Sequence, residues 1–146
     1  MKAKVLVISA AAFAALGMAV GIIYHGAMLS FGFSGGSAMA ATHPMTFALG
    51  CGGFLFALIF EKFYSLSKSK LSKPAYFIYI VGVVLTVVML FVRGYMQISG
   101  AALTDGQDGM ISGIAGIGHT IVAAGMVLFF IMLIKGVCGE YAVEKK

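Results

Sequence analysis

The sequence predicts an all-α integral membrane protein, four helices packed up and down as one bundle. Three observations carry that prediction: long apolar runs, a shortage of charge, and the segregation of the lysines. Of the 146 residues, 61% are hydrophobic and 10% are charged, and the mean hydropathy is +1.04. Soluble domains carry roughly 25% charged residues. Too little charge is present here to coat a water-facing surface, so the apolar side chains are expected to face lipid.

The apolar runs place helices at approximately 5–29, 37–62, 75–96 and 110–135, within a single membrane domain over 1–146. Each has the ~20 residues needed to cross ~30 Å of hydrocarbon at about 1.5 Å per residue. The strands of an outer-membrane barrel are about half that length and alternate in polarity, which excludes that class. Connections between the runs are short, as expected for antiparallel neighbours. The second helix has an ambiguous start. Pro44 discourages helical geometry at His43, yet prolines are tolerated in membrane helices. Beginning near Ser37 gives a comfortable span, so a long helix kinked near His43 is expected. The segment 61–74 reads as a loop with helical ends, with Pro74 in the first turn of the third helix.

The lysines set the orientation. Lys2 and Lys4 precede the first helix, Lys62, Lys68, Lys70 and Lys73 separate the second from the third, and Lys135, Lys145 and Lys146 follow the fourth. All fall on one side, while Asp105 and Asp108 lie in what reads as a solvated turn on the other. The positive-inside rule makes the lysine side cytoplasmic, with both termini there, and the expected location is the bacterial inner membrane. The net charge of +5 is therefore a topology signal and does not point to nucleic acid. The first stretch followed by Ala38-Met39-Ala40 resembles a cleavable secretory signal, but it is too long for one and is expected to be retained. Cys51 and Cys138 belong at different depths, which argues against a disulfide.

Four ionisable side chains stand inside the apolar runs: His25, His43, Arg93 and His119. Such groups are expensive in lipid and mark functional sites by default. One comes from each helix, and all fall in the half of the membrane away from the lysines. His119 is deepest, roughly 14 Å in at 1.5 Å per residue. Two histidines on different helices of a bundle suit the axial positions of a heme iron, and Arg93 sits where propionates need a cation. Gly50 lies seven residues after His43, and Gly116 and Gly118 are beside His119. Small residues also recur at four-residue spacing: Gly17 and Gly21, then Ser112, Gly116, Thr120 and Ala124. These either let helices pack closely or make room for a flat cofactor.

The segments HPMTFALG (43–50), Phe54-Leu55-Phe56, Glu61-Lys62, LSKSK (66–70), Thr86, Met89, Arg93-Gly94 and ISGIAGIGH ending at His119 together resemble a bacterial family of small four-helix membrane proteins, a domain of unknown function. The family pattern has H-x-H where this chain has His43 and Met45. The resemblance implies the fold, and it implies His43 and His119 as the paired histidines, with Met45 a substitute axial ligand. A more distant likeness in style to the catalytic subunit of heme-copper oxidases exists at the level of fold alone.

The expected function is that of a b-type heme protein, for electron transfer or for binding a small gas or redox ligand, with oxidoreductase activity possible at an open axial position. Its metal ligands are expected among His43, His119 and Met45, and its partners are the lipid bilayer, a quinol or redox protein, and further copies of the chain. Two readings compete. Met28, Met39, Met45, Met96 and Met110, with His25 and His43, offer soft ligands to copper. A non-catalytic bundle that assists a larger complex needs no cofactor. Hydrolase elbows, Walker loops, zincin motifs and paired intramembrane carboxylates are absent from the sequence.

Overall fold

The computed structural model describes residues 2–139, so Lys145 and Lys146 lie outside the described residues. The described residues are helical, without strands, and include four helices long and apolar enough to span a membrane. These are α1 (Ala3–Ser30), α2 (Ala38–Tyr64), α3 (Ser72–Ser99) and α4 (Asp105–Val137). Large apolar side chains cover the outside: Ile22 is 74% exposed and Phe77 62%. In water such a surface would drive association; around a bundle of this hydropathy it is the lipid-facing surface of a multi-pass membrane protein.

The span α2 is not one uniform helix. It opens with a 3-10 turn (Ala38–Ala41), passes through one α turn (Thr42–Met45), widens into a π segment (Thr46–Gly52) and ends as regular α-helix (Gly53–Tyr64). The expected irregularity near Pro44 therefore takes the form of two changes of pitch, one on each side of the proline. In α3, Ser72 is the first residue, which puts Pro74 in the first turn.

The start of α4 corrects the sequence reading. The expected solvated turn around Asp105 and Asp108 is helical. Thr104 caps it: its hydroxyl accepts from Gln107 N at 3.3 Å, while Gln107 Oε1 accepts from Thr104 N at 3.0 Å. This capping box places both aspartates in the first turn, where the helix dipole favours negative charge. At the other end of the hairpin, Gly100 takes φ +69°, a conformation glycine adopts without strain. Between α2 and α3, Glu61 closes the loop by accepting from Ser67 N (2.7 Å) and Ser67 Oγ (2.5 Å).

Packing follows from the missing side chains of glycines. Phe47 lies over Gly17 and Phe13 over Gly50, so α1 and α2 interlock as antiparallel partners. Val122 lies over Gly82, Thr86 over Gly118 and Tyr79 over Gly125, which interlocks α3 with α4 in the same way. The 3-10 turn of α2 seats Met39, fully buried, on Gly94 of α3. Ser37 Oγ donates to Gly94 O at 3.0 Å and Ala38 N to Gln97 Oε1 at 2.7 Å, which ties that end down. One buried cluster (Leu6, Ala10, Phe13, Phe54, Val83, Val87, Val122) joins all four helices, and a smaller one (Leu66, Ala75, Met132) closes the lysine-bearing end.

The helices run up and down in order, but they do not close a ring. Among the described residues no Cα of α1 comes within 8 Å of one in α4. The span α2 meets α4 at that distance only through Gly53–Tyr64. Away from the lysine-bearing end, α4 is held by α3 alone.

This arrangement predicts which glycines tolerate a side chain. Gly94→Leu is expected to lower stability by about 3 kcal/mol through overpacking against the Met39 backbone. At Gly113 an added Cβ would meet nothing within 4 Å, so alanine there should change stability by less than ~1 kcal/mol. Thermal unfolding in detergent micelles checks both.

Candidate functional site

At the lysine-poor end, Asp108, Ser112 and His119 of α4 recur at spacings of four and seven, so they share one face of the helix. From α3, Arg93 reaches across to that face: one terminal nitrogen donates to Ser112 Oγ at 3.0 Å and the other to Asp108 Oδ1 at 3.0 Å and Oδ2 at 3.3 Å. The two side chains are 37% and 48% exposed, so this ion pair fixes geometry more than it stabilises. Arg93 is thus held by partners on α4, with some of its five N–H groups uncommitted.

His119 is exposed, on the face that Arg93 caps. Its Nδ1 lies 2.8 Å from Ala115 O, four residues earlier on the same helix. A carbonyl oxygen can only accept, so Nδ1 carries the proton. In the neutral ring that leaves Nε2 with its lone pair, directed away from the helix. Gly116, one turn back, has nothing within 4 Å and leaves this side of α4 open. Thr120 turns its hydroxyl back onto Gly116 O at 3.0 Å.

His43 faces a different neighbour. Its ring lies over Gly21 of α1, 3.8 Å from where a Cβ would stand. Among the described residues its buried Nδ1 has no hydrogen-bond partner. No Cα of Thr42–Met45 lies within 8 Å of one in α4. The His43 ring lies against α1, and the His119 ring is exposed on α4. Met45 is half-buried on the same turn as His43. The room that Gly50 leaves is taken by Phe13, which a Cβ there would meet at 2.5 Å. The stripe Gly17 and Gly21 is likewise used, by Phe47 and His43. His25 is exposed and packs its ring on Tyr24, with centroids 5.4 Å apart.

Sequence reasoning did not single out Tyr79. Its hydroxyl donates to Leu49 O at 2.8 Å, in the middle of the π segment. Its hydroxyl and ring edge lie over Gly53 of α2 and its backbone and Cβ over Gly125 of α4, so a side chain on either glycine would strike Tyr79. Beside it, α2, α3 and α4 form a half-open cavity of about 360 Å³ with a nearly apolar lining. The available signals were the two glycines and an interfacial-type aromatic placed in mid-span. Asp108 and Ser112 were equally missed as partners of Arg93.

The chain matches the family described as "Protein of unknown function (DUF2871)" over residues 3–136. It belongs to that family. The DUF2871 match covers the four spans and the residues of the site. No curated protein and no solved structure matches the chain. The likeness to heme-copper oxidase subunits accordingly gains no support. Among the described residues of this DUF2871 member, no cluster of three or more His, Cys, Asp or Glu side chains is placed to hold a metal ion. Metal binding here would rest on single histidines and on the group they hold.

Tyr79→Phe isolates the hydroxyl bonded to the π segment. Leaving a carbonyl short of a partner in the apolar interior should reduce stability by about 1–3 kcal/mol, read as a lower thermal midpoint in detergent. An unchanged midpoint would mean the π segment does not need this bond.

Proposed function

We propose that this DUF2871 protein binds heme b against the open face of α4, with His119 Nε2 as axial ligand. The observation that carries the proposal is the bond from His119 Nδ1 to Ala115 O at 2.8 Å on an exposed ring. Histidines that ligate metals commonly donate their other N–H to a carbonyl or carboxylate, which fixes the tautomer and aims the ring. Gly116 leaves space beside the ligand, and Arg93 lies on the same face to meet a propionate. In this reading His119 is the axial ligand the chain supplies; His43 packs its ring on Gly21 of α1 with Met45 half-buried on the same turn, so neither is assigned the second position. An open sixth position favours a small gas or redox ligand over simple electron transfer. The same reading sets the protein in the bacterial cytoplasmic membrane with the lysine-bearing end and both termini inside. A quinol or redox protein would supply electrons, and a second copy would be able to cover the open α4 face.

The test compares heme uptake by detergent-purified variants through the Soret band. His119→Ala is expected to weaken uptake at least ~100-fold, since metal ligands are the residues on which affinity rests. His25→Ala and His43→Ala should retain most of it. Greater damage from His25→Ala would overturn the ligand assignment. A wild-type protein with no Soret band after heme addition would remove heme altogether; stoichiometric copper in that sample would move the function to copper handling through the methionines.

A further inference from the structure

We infer that the cavity between α2, α3 and α4 is a binding site for an acyl chain of a membrane phospholipid. The cavity holds about 360 Å³ and lies wholly within the apolar spans. Buried Gly125 lies in its lining, Ala48 and Gly52 stand at its exposed side, and Phe56, Phe129 and Phe130 flank it, so it opens toward the lipid. The buried Leu66, Ala75 and Met132 close it at the lysine-bearing end, and α2 and α4 diverge beyond Gly53, so the way in is sideways from the lipid.

The occupant follows from chemistry and position. Water is excluded because a cavity hydrates only where polar partners hold the molecule. The hydroxyls of both lining tyrosines are engaged elsewhere, Tyr79 with Leu49 O at 2.8 Å and Tyr76 with Ser9 Oγ at 2.8 Å. A quinone ring would have to break one of these bonds to hold its carbonyls there. Left empty, the lining would lose the dispersion contacts that packed interiors make. A flexible apolar chain supplied by the surrounding bilayer fills the space without asking for a hydrogen bond. Once bound, it supplies contacts between α2 and α4 that the protein itself does not make above Gly53, so the lipid completes the bundle.

Native mass spectrometry on protein purified in mild detergent and re-supplied with dioleoylphosphatidylglycerol tests this. Wild-type protein should retain a phospholipid under activation that strips lipid from the surface. Ala48→Trp, which fills the cavity, should lose it, while Ile22→Trp on the lipid-facing side of α1 should keep it. The thermal midpoint of delipidated wild type should rise on adding the same lipid, and that of Ala48→Trp should not. Wild-type protein that retains no phospholipid, or that retains an isoprenoid quinone in its place, overturns the inference whatever the variants do. Equal loss from Ile22→Trp and Ala48→Trp overturns it too. None of these readouts involves heme, so the outcome is separate from that of the proposed function.

Discussion

Inside a bilayer a backbone carbonyl has no water to turn to, and the rest of this fold depends on how α2 meets that constraint. Pro44 removes a donor from the span, and the helix then widens into the π segment Thr46–Gly52. Irregular backbone at such depth persists only where protein groups satisfy it. Here side chains add to the backbone bonding: Thr46 Oγ1 donates to Thr42 O at 2.7 Å beside Thr46 N, and the Tyr79 hydroxyl donates to Leu49 O. Tyr79 reaches that carbonyl past Gly53, while Gly125 lets α4 close on the Tyr79 backbone. One side chain of α3 thereby sets the pitch of α2 and the spacing of three helices.

The consequences run outward from there. The change of pitch turns His43 and Phe47 onto Gly21 and Gly17 of α1, and Met39 onto Gly94 of α3. α3 becomes the hub, clasping α2 on one side and α4 on the other. α4, with no Cα within 8 Å of α1 among the described residues, keeps a long face open, and along that face lie Asp108, Ser112 and His119 with Arg93 braced across Asp108 and Ser112. Polar groups on an open membrane-facing surface are costly unless something covers them. That cost is the physical reason for placing the functional chemistry on α4 and for reading the His119 ring as a ligand rather than as a packing residue.

The sequence made the spans legible because hydrophobic length is the quantity the bilayer selects. The second span begins at Ala38, one residue past the expected Ser37, and Pro74 sits in the first turn as its chemistry requires. Family membership was equally readable from the segment 43–50 and the run ending at His119. What stayed hidden was direction. In soluble helices the polar face reveals the buried one, but α1 is apolar all round and the few polar residues of α4 mark an open face, so hydropathy did not tell which sides pack. The side on which His43 or Gly50 points was decided instead by Phe13 and Phe47, aromatic residues that read equally well as lipid-facing. The capping box at Thr104 and Gln107 was readable in principle; the glycines on either side of it disguised a helix start as a turn. The π segment left no mark on the sequence beyond a nearby proline and a cluster of glycines.

The central claim is that His119 holds an iron with one side open. It is tested most directly by the carbon monoxide difference spectrum of the dithionite-reduced, heme-loaded protein in lipid nanodiscs. With a single axial histidine, carbon monoxide should bind without first displacing a protein ligand, and the Soret band should shift fully at low gas concentration. A reduced spectrum with sharp six-coordinate bands that carbon monoxide leaves unchanged would contradict the claim, showing both axial positions filled by the protein.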